Sequence, residues 1–395
     1  MVNAKSLFSM EILVAKAIYG DEEKEAVMEV LDSGWLGNGA RTETFQNLLA
    51  NYIGVKHGIF VNSGSSALLL ALKALNLPKD SEVITCAAGF PSTLNPIIHA
   101  GLTPVVVDCE LDTFNIDIKL AKKALSSKTS AIIFAHAAGN PVDLDGLDYI
   151  LRRVPSIEDN CDALGAEFDY KKTGSFGTLS ACSFYASHHI TAAGGGGMVF
   201  TDDTDLATKI FSMRDWGKFY DKPGFYQNNN TQLNVDIDGI AYDKNYSYQT
   251  IGFNMKELEI GAAFGIEQFK RLPSFIAARN NNFKEFYDRF EDISDFIKPR
   301  VYKGAKPSWF FYPLTLKRGN RDNMIKYLEL NNIHTRLFFA GNIIRQPALK
   351  GSNIKVIGDL PNADKLMRDT LMLGIHPDIR ISDINYVYQK IKDLL

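Results

Sequence analysis

Cysteine is scarce: Cys86, Cys109, Cys161 and Cys182 are the only four in 395 residues. That is too few for a disulfide framework, and no two of them form a C-x-x-C pair, which argues against a structural zinc site. A cytoplasmic location is the expectation that follows. Long apolar runs are missing too. None approaches the ~20 residues of a membrane-spanning helix, and the richest, residues 67–77, is cut by Lys73. Nor is there an excess of one charge. With 43 Lys and Arg against 46 Asp and Glu, the net charge is -3. This speaks against a nucleic-acid-backbone binder but leaves room for a local basic pocket for one nucleotide. Internal repeats and low-complexity segments are absent. What remains, 46% hydrophobic and 23% charged residues, is the composition of a soluble globular protein, not of a disordered, collagenous or coiled-coil chain. At ~150 residues per domain the length allows two to three domains. The start of the chain, MVNAKSLFSMEILVAKAIYG, has Glu11 inside its apolar stretch and no cleavage pattern. It reads as a first amphipathic helix rather than a signal peptide.

The first half alternates short β-branched runs with helical stretches. Strands are expected at residues 58–62, 82–86, 104–108, 131–135, 156–160, 181–185 and 197–201, with helices between them, including 66–75 and 118–126. Continuous apolar runs such as VVV and IIF suit strands buried on both faces. The alternation predicts an α/β, three-layer large domain with a mostly parallel seven-stranded sheet. Ligands of such sheets bind at the carboxyl ends of the strands. Residues 218–248, rich in Asn, Asp, Gly, Lys and Tyr, read as a long loop of the kind that is usually functional or mobile. A helix is expected over about 256–272, ending at Pro273, and a second over 276–290. Strands near 310–316 and 334–339, alternating with helices near 321–331 and 362–371, describe a smaller α+β domain. The expected division is 1–265 for the large domain and 266–395 for the small one.

Three segments carry chemistry. The first, Asn62-Ser63-Gly64-Ser65-Ser66, closes a strand and opens a helix. Gly64 permits close backbone approach, and Ser65 offers a hydroxyl at the positive end of the helix dipole, a site for a phosphate. An ordinary serine N-cap is the plainer alternative. The second, Glu158-Asp159-Asn160-Cys161-Asp162, ends a strand. A carboxylate there can hold a protonated ring nitrogen, or the acidic run is a solvated loop. The third runs from Ser183 through Tyr185, His188 and His189 into Gly194–Gly197. Ser183 can give a second hydroxyl to an anion. Adjacent His188 and His189 cannot face one point in a regular strand, so a metal pair is not expected. One can be a general base and the other a packed core residue. There is no GxGxxG at a strand-to-helix turn and no GxSxG elbow, which weakens a dinucleotide fold and excludes an α/β-hydrolase.

In this order the segments resemble those of fold type I pyridoxal-phosphate enzymes, and more narrowly the sugar aminotransferase family of nucleotide-sugar biosynthesis. The resemblance runs nearly end to end, through ARTETFQNLLANYIGVKHGIFVNSGSSAL, VVVDCELDTFNID, EDNCDALGAEF, GSFGTLSACSFYASHHITAAGGGGMVF, GFNMKELEIGAA, TRLFFAGNIIRQP and DLPNADKLMRDTLMLGIHPDI. It implies that Asp159 pairs with the pyridine nitrogen of the cofactor and that Phe90 stacks on its ring. It also implies that Gly64, Ser65 and Ser183 hold the phosphate, and that Asp162 stands near the ring oxygen, where many relatives carry glutamine. Asn254 would reach the phosphate from a second subunit, which implies a homodimer with shared active sites. Arg336 and Arg345 would bind the substrate carboxylate or diphosphate, surface salt bridges being the alternative. Tyr185, Tyr220 and Tyr248 are further candidates for the sugar site.

One departure bears on function. The family's aminotransferases carry a lysine where this chain has His188. In the setting SFYASHHIT this resembles the branch of sugar 3-dehydratases. One subtype carries an iron–sulfur cluster and needs a reductase. No cysteine follows Cys182 here, so neither a thiolate-ligated cluster nor a reductase partner is expected. The other subtype depends on L-glutamate and acts on GDP-4-keto-6-deoxymannose. The resemblance to it implies non-covalent pyridoxal phosphate and pyridoxamine phosphate, with His188 as acid and base. Its expected products are a 3,6-dideoxy-4-keto sugar, 2-oxoglutarate and ammonia. Metal, nucleic acid and membrane are not expected partners. The same chemistry on another 4-keto sugar stays open, as does a non-catalytic binding protein. An aminotransferase would need Lys218 or Lys256 to reach the cofactor.

Overall fold

The computed structural model describes residues 11–224, 231 and 233–395. Runs of β-branched and apolar residues form β1 (His57–Val61), β2 (Glu82–Cys86), β3 (Thr103–Val107), β4 (Thr129–Ala135), β5 (Ser156–Asp159), β6 (Leu179–Ser183) and β7 (Gly197–Thr201). They lie in the order β1-β7-β6-β5-β4-β2-β3, and the two-residue strand Lys355–Val356 adds an eighth at the edge, parallel to β3. Pairs from β6 to β3 are parallel. Only β7 runs antiparallel, to β1 and β6. The expected mostly parallel sheet is therefore present.

Alternation along β1 divides the two faces. Ile59 and Val61 join Leu68 and Leu72 of α3 (Gly64–Ala74) and Ile210 of α7 (Thr204–Arg214). Phe60 instead joins Phe45 and Leu49 of α2 (Ala40–Ile53) and Ala262 of α8 (Glu259–Phe290). At the other end of the sheet Ile84 and Val105 pack with Ala121 and Leu147. The C-terminal part of the chain forms an antiparallel four-stranded sheet of Phe296–Ile297, Tyr312–Leu316, Thr370–Leu373 and Arg336–Leu337. Helices Arg321–Leu330, Pro361–Asp369 and Ile381–Leu394 cover it, with Leu314, Leu328, Leu366 and Val387 in its core.

Three expectations are corrected. Residues 11–20 are not helical. Ile12 bridges Ile333 instead, accepting from the His334 N–H at 2.9 Å and donating to the Asn332 carbonyl at 2.9 Å. Pairing satisfies this backbone while Ile12 is buried in the core with Leu328 and Ile333, and residues 1–10 lie outside the described part. Pro273 does not end a helix. It sits inside α8, which is continuous over 32 residues, and the expected division at 265/266 falls within that helix. An interior proline costs ~3 kcal/mol. The buried face running from Ala262 and Ala263 through Leu272 and Phe275 to Phe283, Phe286 and Phe290 offsets it, at ~1.5–3 kcal/mol for each large side chain. Finally, the expected loop 218–248 contains a hairpin, Leu233–Ile237 with Ile240–Asp243. Its turn is Asp238-Gly239, both at positive φ, 53° and 84°, as a two-residue turn of this twist requires. Residues 225–230 and 232 of that loop are outside the described part.

Candidate active site

Two strand ends and two helix starts converge. β5 ends in Asp159, which is 6% exposed and sits in register with Ala135 of β4 and Ala181 of β6. Its carboxylate accepts from Thr93 Oγ1 at 2.6 Å and from the Cys161 N–H at 3.3 Å. Thr93 lies in the first turn of α4 (Pro91–His99), whose N-cap is Phe90. The same threonine donates its N–H to the Phe90 carbonyl at 3.1 Å. Phe90 and Asp159 are therefore tied through one residue, and the Phe90 ring stays 55% exposed, edge-on to Phe339 at 6.3 Å.

β6 ends in Ser183, buried beside the start of α3. Ser63 caps α3, accepting the Ser66 N–H at 3.1 Å. Ser65 is exposed at this positive helix end. Gly64 has no room for a side chain: a Cβ would come within 2.8 Å of Ser183 Cβ and 3.1 Å of Cys161 Sγ. The packing thus closes α3 onto the ends of β5 and β6, and the helix end is presented where an anion is favoured.

After β6 the chain turns, with the His188 N–H on the Tyr185 carbonyl at 2.9 Å. The His188 imidazole stacks on Phe310, centroids 4.8 Å apart and planes inclined by 18°. Among the described residues its Nδ1 is buried without a hydrogen-bond partner, and it lies 3.9 Å from Asp162 Oδ1. Burial, then the Arg279 guanidinium, pushes its pKa down to about 3. Burial, then Asp159, pushes Asp162 up to about 8, against a hydrogen bond from the Ala138 backbone. At neutral pH both groups are uncharged, Asp162 protonated and His188 not. His189 is the packed partner of the two, buried with Nε2 2.9 Å from the Ser308 carbonyl.

The acidic run proves to be three different things. Glu158 is fully buried and accepts N–H groups from Gly174 at 2.7 Å and from Phe176 and Gly177 at 2.5 Å. It also meets His136 Nε2 at 3.0 Å. His136 Nδ1 accepts from the Val142 N–H at 3.1 Å, so Nε2 carries the ring proton and donates to Glu158. That network fixes the loop behind the strand and leaves Asp159 and Asp162 to face the cleft.

The structure thus gathers Gly64, Phe90, Asp159, Asp162, Ser183 and His188, with Ser65 at the rim. The remaining candidates stand apart. Asn254 is exposed and its backbone bridges Asp215. Arg345 lies along Asp364, Nε at 3.0 Å and Nη2 at 2.7 Å, which is the surface salt bridge that was its alternative. Arg336 is exposed, donates to the Thr335 carbonyl at 2.8 Å, and lines a cavity of about 400 Å³ with Tyr185, Ser187, Phe310 and Phe311. Lys218 and Lys256, the lysines an aminotransferase would need, both meet Asp215, at 3.8 and 2.6 Å. Sequence reasoning missed Thr93, Arg279 and Phe310. Thr93 stands three residues after Phe90, but the other two come from distant segments with no local motif.

The pattern of the DegT/DnrJ/EryC1/StrS aminotransferase family matches residues 17–392. The lipopolysaccharide biosynthesis protein RfbH of Salmonella typhimurium is 38% identical, over 95% of this chain and 90% of its own. A dTDP-4-dehydro-2,6-dideoxy-D-glucose 3-dehydratase of Saccharopolyspora spinosa is 34% identical, over 98% and 87%. Among solved structures, a GDP-4-keto-6-deoxymannose-3-dehydratase with a trapped PLP-glutamate geminal diamine superposes with a TM-score of 0.87. It is 29% identical and covers 96% of this chain and 99% of its own. The chain, with the fold of type I pyridoxal-phosphate enzymes, belongs to the DegT/DnrJ/EryC1/StrS aminotransferase family.

Proposed function

We propose that this protein is a pyridoxal-phosphate- and L-glutamate-dependent 3-dehydratase of a nucleotide-linked 4-keto-6-deoxysugar, with GDP-4-keto-6-deoxy-D-mannose as substrate. The observation that carries the reading is His188, a neutral imidazole stacked on Phe310 beside the cleft, at the position where the family's aminotransferases carry lysine. An imidazole cannot hold an aldehyde covalently as an amine does. Retention then falls to the positive end of α3, Ser183, and the buried Asp159 carboxylate held by Thr93. These residues fit the group: a cradle that a single Cβ would fill, an anion site at a helix start, and a carboxylate for a ring N–H. Pyridoxal phosphate, when bound, supplies the electron sink for carbanion chemistry.

The chain's own residues do the rest. Asp159 keeps a ring nitrogen protonated. His188, unprotonated, would take the α-proton of glutamate and pass it on to the carbon that carries the cofactor's aldehyde, and would later serve as base in the step in which the C3 hydroxyl departs. Asp162, protonated, would offer an O–H to a neighbouring oxygen. The Phe90 ring, largely exposed, covers one face of the cleft. Asn254 comes from a second copy of the chain. Around it Trp216, Tyr248 and Ile251 are 46%, 55% and 95% exposed, an apolar surface that a partner copy covers.

The test is the absorbance of the protein loaded with pyridoxal phosphate, before and after L-glutamate, with borohydride trapping. Conversion by glutamate with no lysine trapped supports the reading, and a trapped lysine overturns it. GDP- and dTDP-linked 4-keto sugars, offered next with ammonia release as the readout, decide the nucleotide.

A further inference from the structure

We propose that Arg279, on α8, is a positioning residue for His188, its guanidinium tying together the two backbone segments that form the His188–Phe310 stack. Arg279 is 3% exposed. Nη1 donates to the Phe310 carbonyl at 2.8 Å, and Nη2 lies 3.3 Å from both the Ser187 and the His188 carbonyls. The guanidinium carbon is 5.7 Å from the centre of the Phe310 ring. One planar fork therefore grips both sides of the stack, a geometry that a lysine ammonium does not reproduce. Among the described residues its hydrogen bonds all go to carbonyls, with no carboxylate as partner, and its Nε is buried unpaired. A buried cation held this way is expensive, so a purely structural clamp would be better made from uncharged groups.

The charge has an effect of its own. It adds to burial in holding His188, His189 and His376 in their neutral forms. Facing His188 are Asp162 at 3.9 Å, Arg279 and His189. Lys16, paired with Asp378, borders the same small cavity. Burial is the larger cause, and with Asp162 protonated Arg279 is the charge that adds to it in keeping His188 neutral. The residue thus fixes where the imidazole stands and adds to the burial that keeps it ready to accept a proton. The inference rests on His188 being the acid–base group, but its first readout needs no turnover.

That readout is the Hε1 resonance of His188, assigned by its loss in His188→Asn and displaced upfield by the Phe310 ring. In Arg279→Met and Arg279→Lys the displacement should shrink, because the stack loosens. With glutamate, both variants should lose about 10–100-fold in the rate of cofactor conversion, the scale of a misplaced catalytic group, with the glutamate KM nearly unchanged. Arg279→Met, which also lacks the charge, should move the acid limb of the rate profile to higher pH. Arg279→Lys should not. A wild-type His188 resonance and a rate within about twofold in either folded variant would overturn the proposal. If Arg279→Met does not fold, Arg279→Lys decides by the same two criteria. If the wild type itself ignores glutamate, the functional reading fails, and the resonance alone decides the positioning role.

Discussion

The imidazole of His188 lies nearly parallel to the Phe310 ring, 4.8 Å away between centroids, although the two residues come from distant segments of the chain. Stacking fixes the plane of the imidazole, and with it the direction of the nitrogen lone pair. Phe310→Leu keeps the apolar bulk and removes the flat partner. An aromatic pair of this kind contributes ~0.5–1.5 kcal/mol beyond its buried area. The glutamate-driven conversion should therefore slow by about three- to tenfold while cofactor affinity stays near that of the wild type. Stopped-flow absorbance separates the two.

Thr93→Val is nearly isosteric and deletes one donor, the hydroxyl 2.6 Å from Asp159 Oδ2. A hydrogen bond to a charged acceptor is worth ~1.5–3 kcal/mol, and its loss frees the carboxylate to move away from a ring N–H. Pyridoxal phosphate should bind about tenfold or more weakly, measured by equilibrium dialysis, with a smaller effect on the rate at saturation.

Much of this site is legible in the sequence because strand ends carry it. SGSS after β1, EDNCD at β5 and the serine closing β6 each lie in one contiguous stretch, and parallel topology brings strand ends together. What escapes notice depends on long-range packing. Arg279 is a mid-helix arginine, and nothing in its neighbours says that it turns inward to three carbonyls. Glu158 looks like its acidic neighbours, yet alternation along β5 sends it inward to three backbone N–H groups and His136. Pro273 carries a local stop signal that the apolar face of α8 overrides. The Asp238-Gly239 turn goes unread within the expected loop, although that dipeptide is the signature of a tight hairpin.

Gly64→Ala tests the cradle. The added Cβ would lie 2.8 Å from Ser183 Cβ and 3.3 Å from its Cα, where little can give way. Overpacking of this order costs ~1–3 kcal/mol, and the shift would fall on the α3 start itself. Both thermal stability and cofactor affinity should drop. Gly89→Ala, one residue before Phe90, is the control. Among the described residues its Cβ would meet nothing within 4 Å, so its stability should stay within ~0.5 kcal/mol of wild type.

His188 and Asp162 make opposite contributions to stability as pH changes. The folded-state pKa of His188 is depressed to about 3 from 6.5, so between those values the unfolded chain binds the extra proton. Stability is lost as pH falls through that window. Asp162 is raised to about 8 from 3.8, so between those values the folded protein holds the extra proton. Stability is lost as pH rises from about 4 toward 8. His188→Asn should therefore flatten the acid limb of a melting-temperature profile. Asp162→Asn, which keeps the shape of the protonated acid, should raise the melting temperature more at pH 8 than at pH 5. Equal effects of Asp162→Asn at both pH values would mean that Asp162 is ionised in the folded protein at neutral pH. It would then act as a charged partner of His188 rather than as a donor.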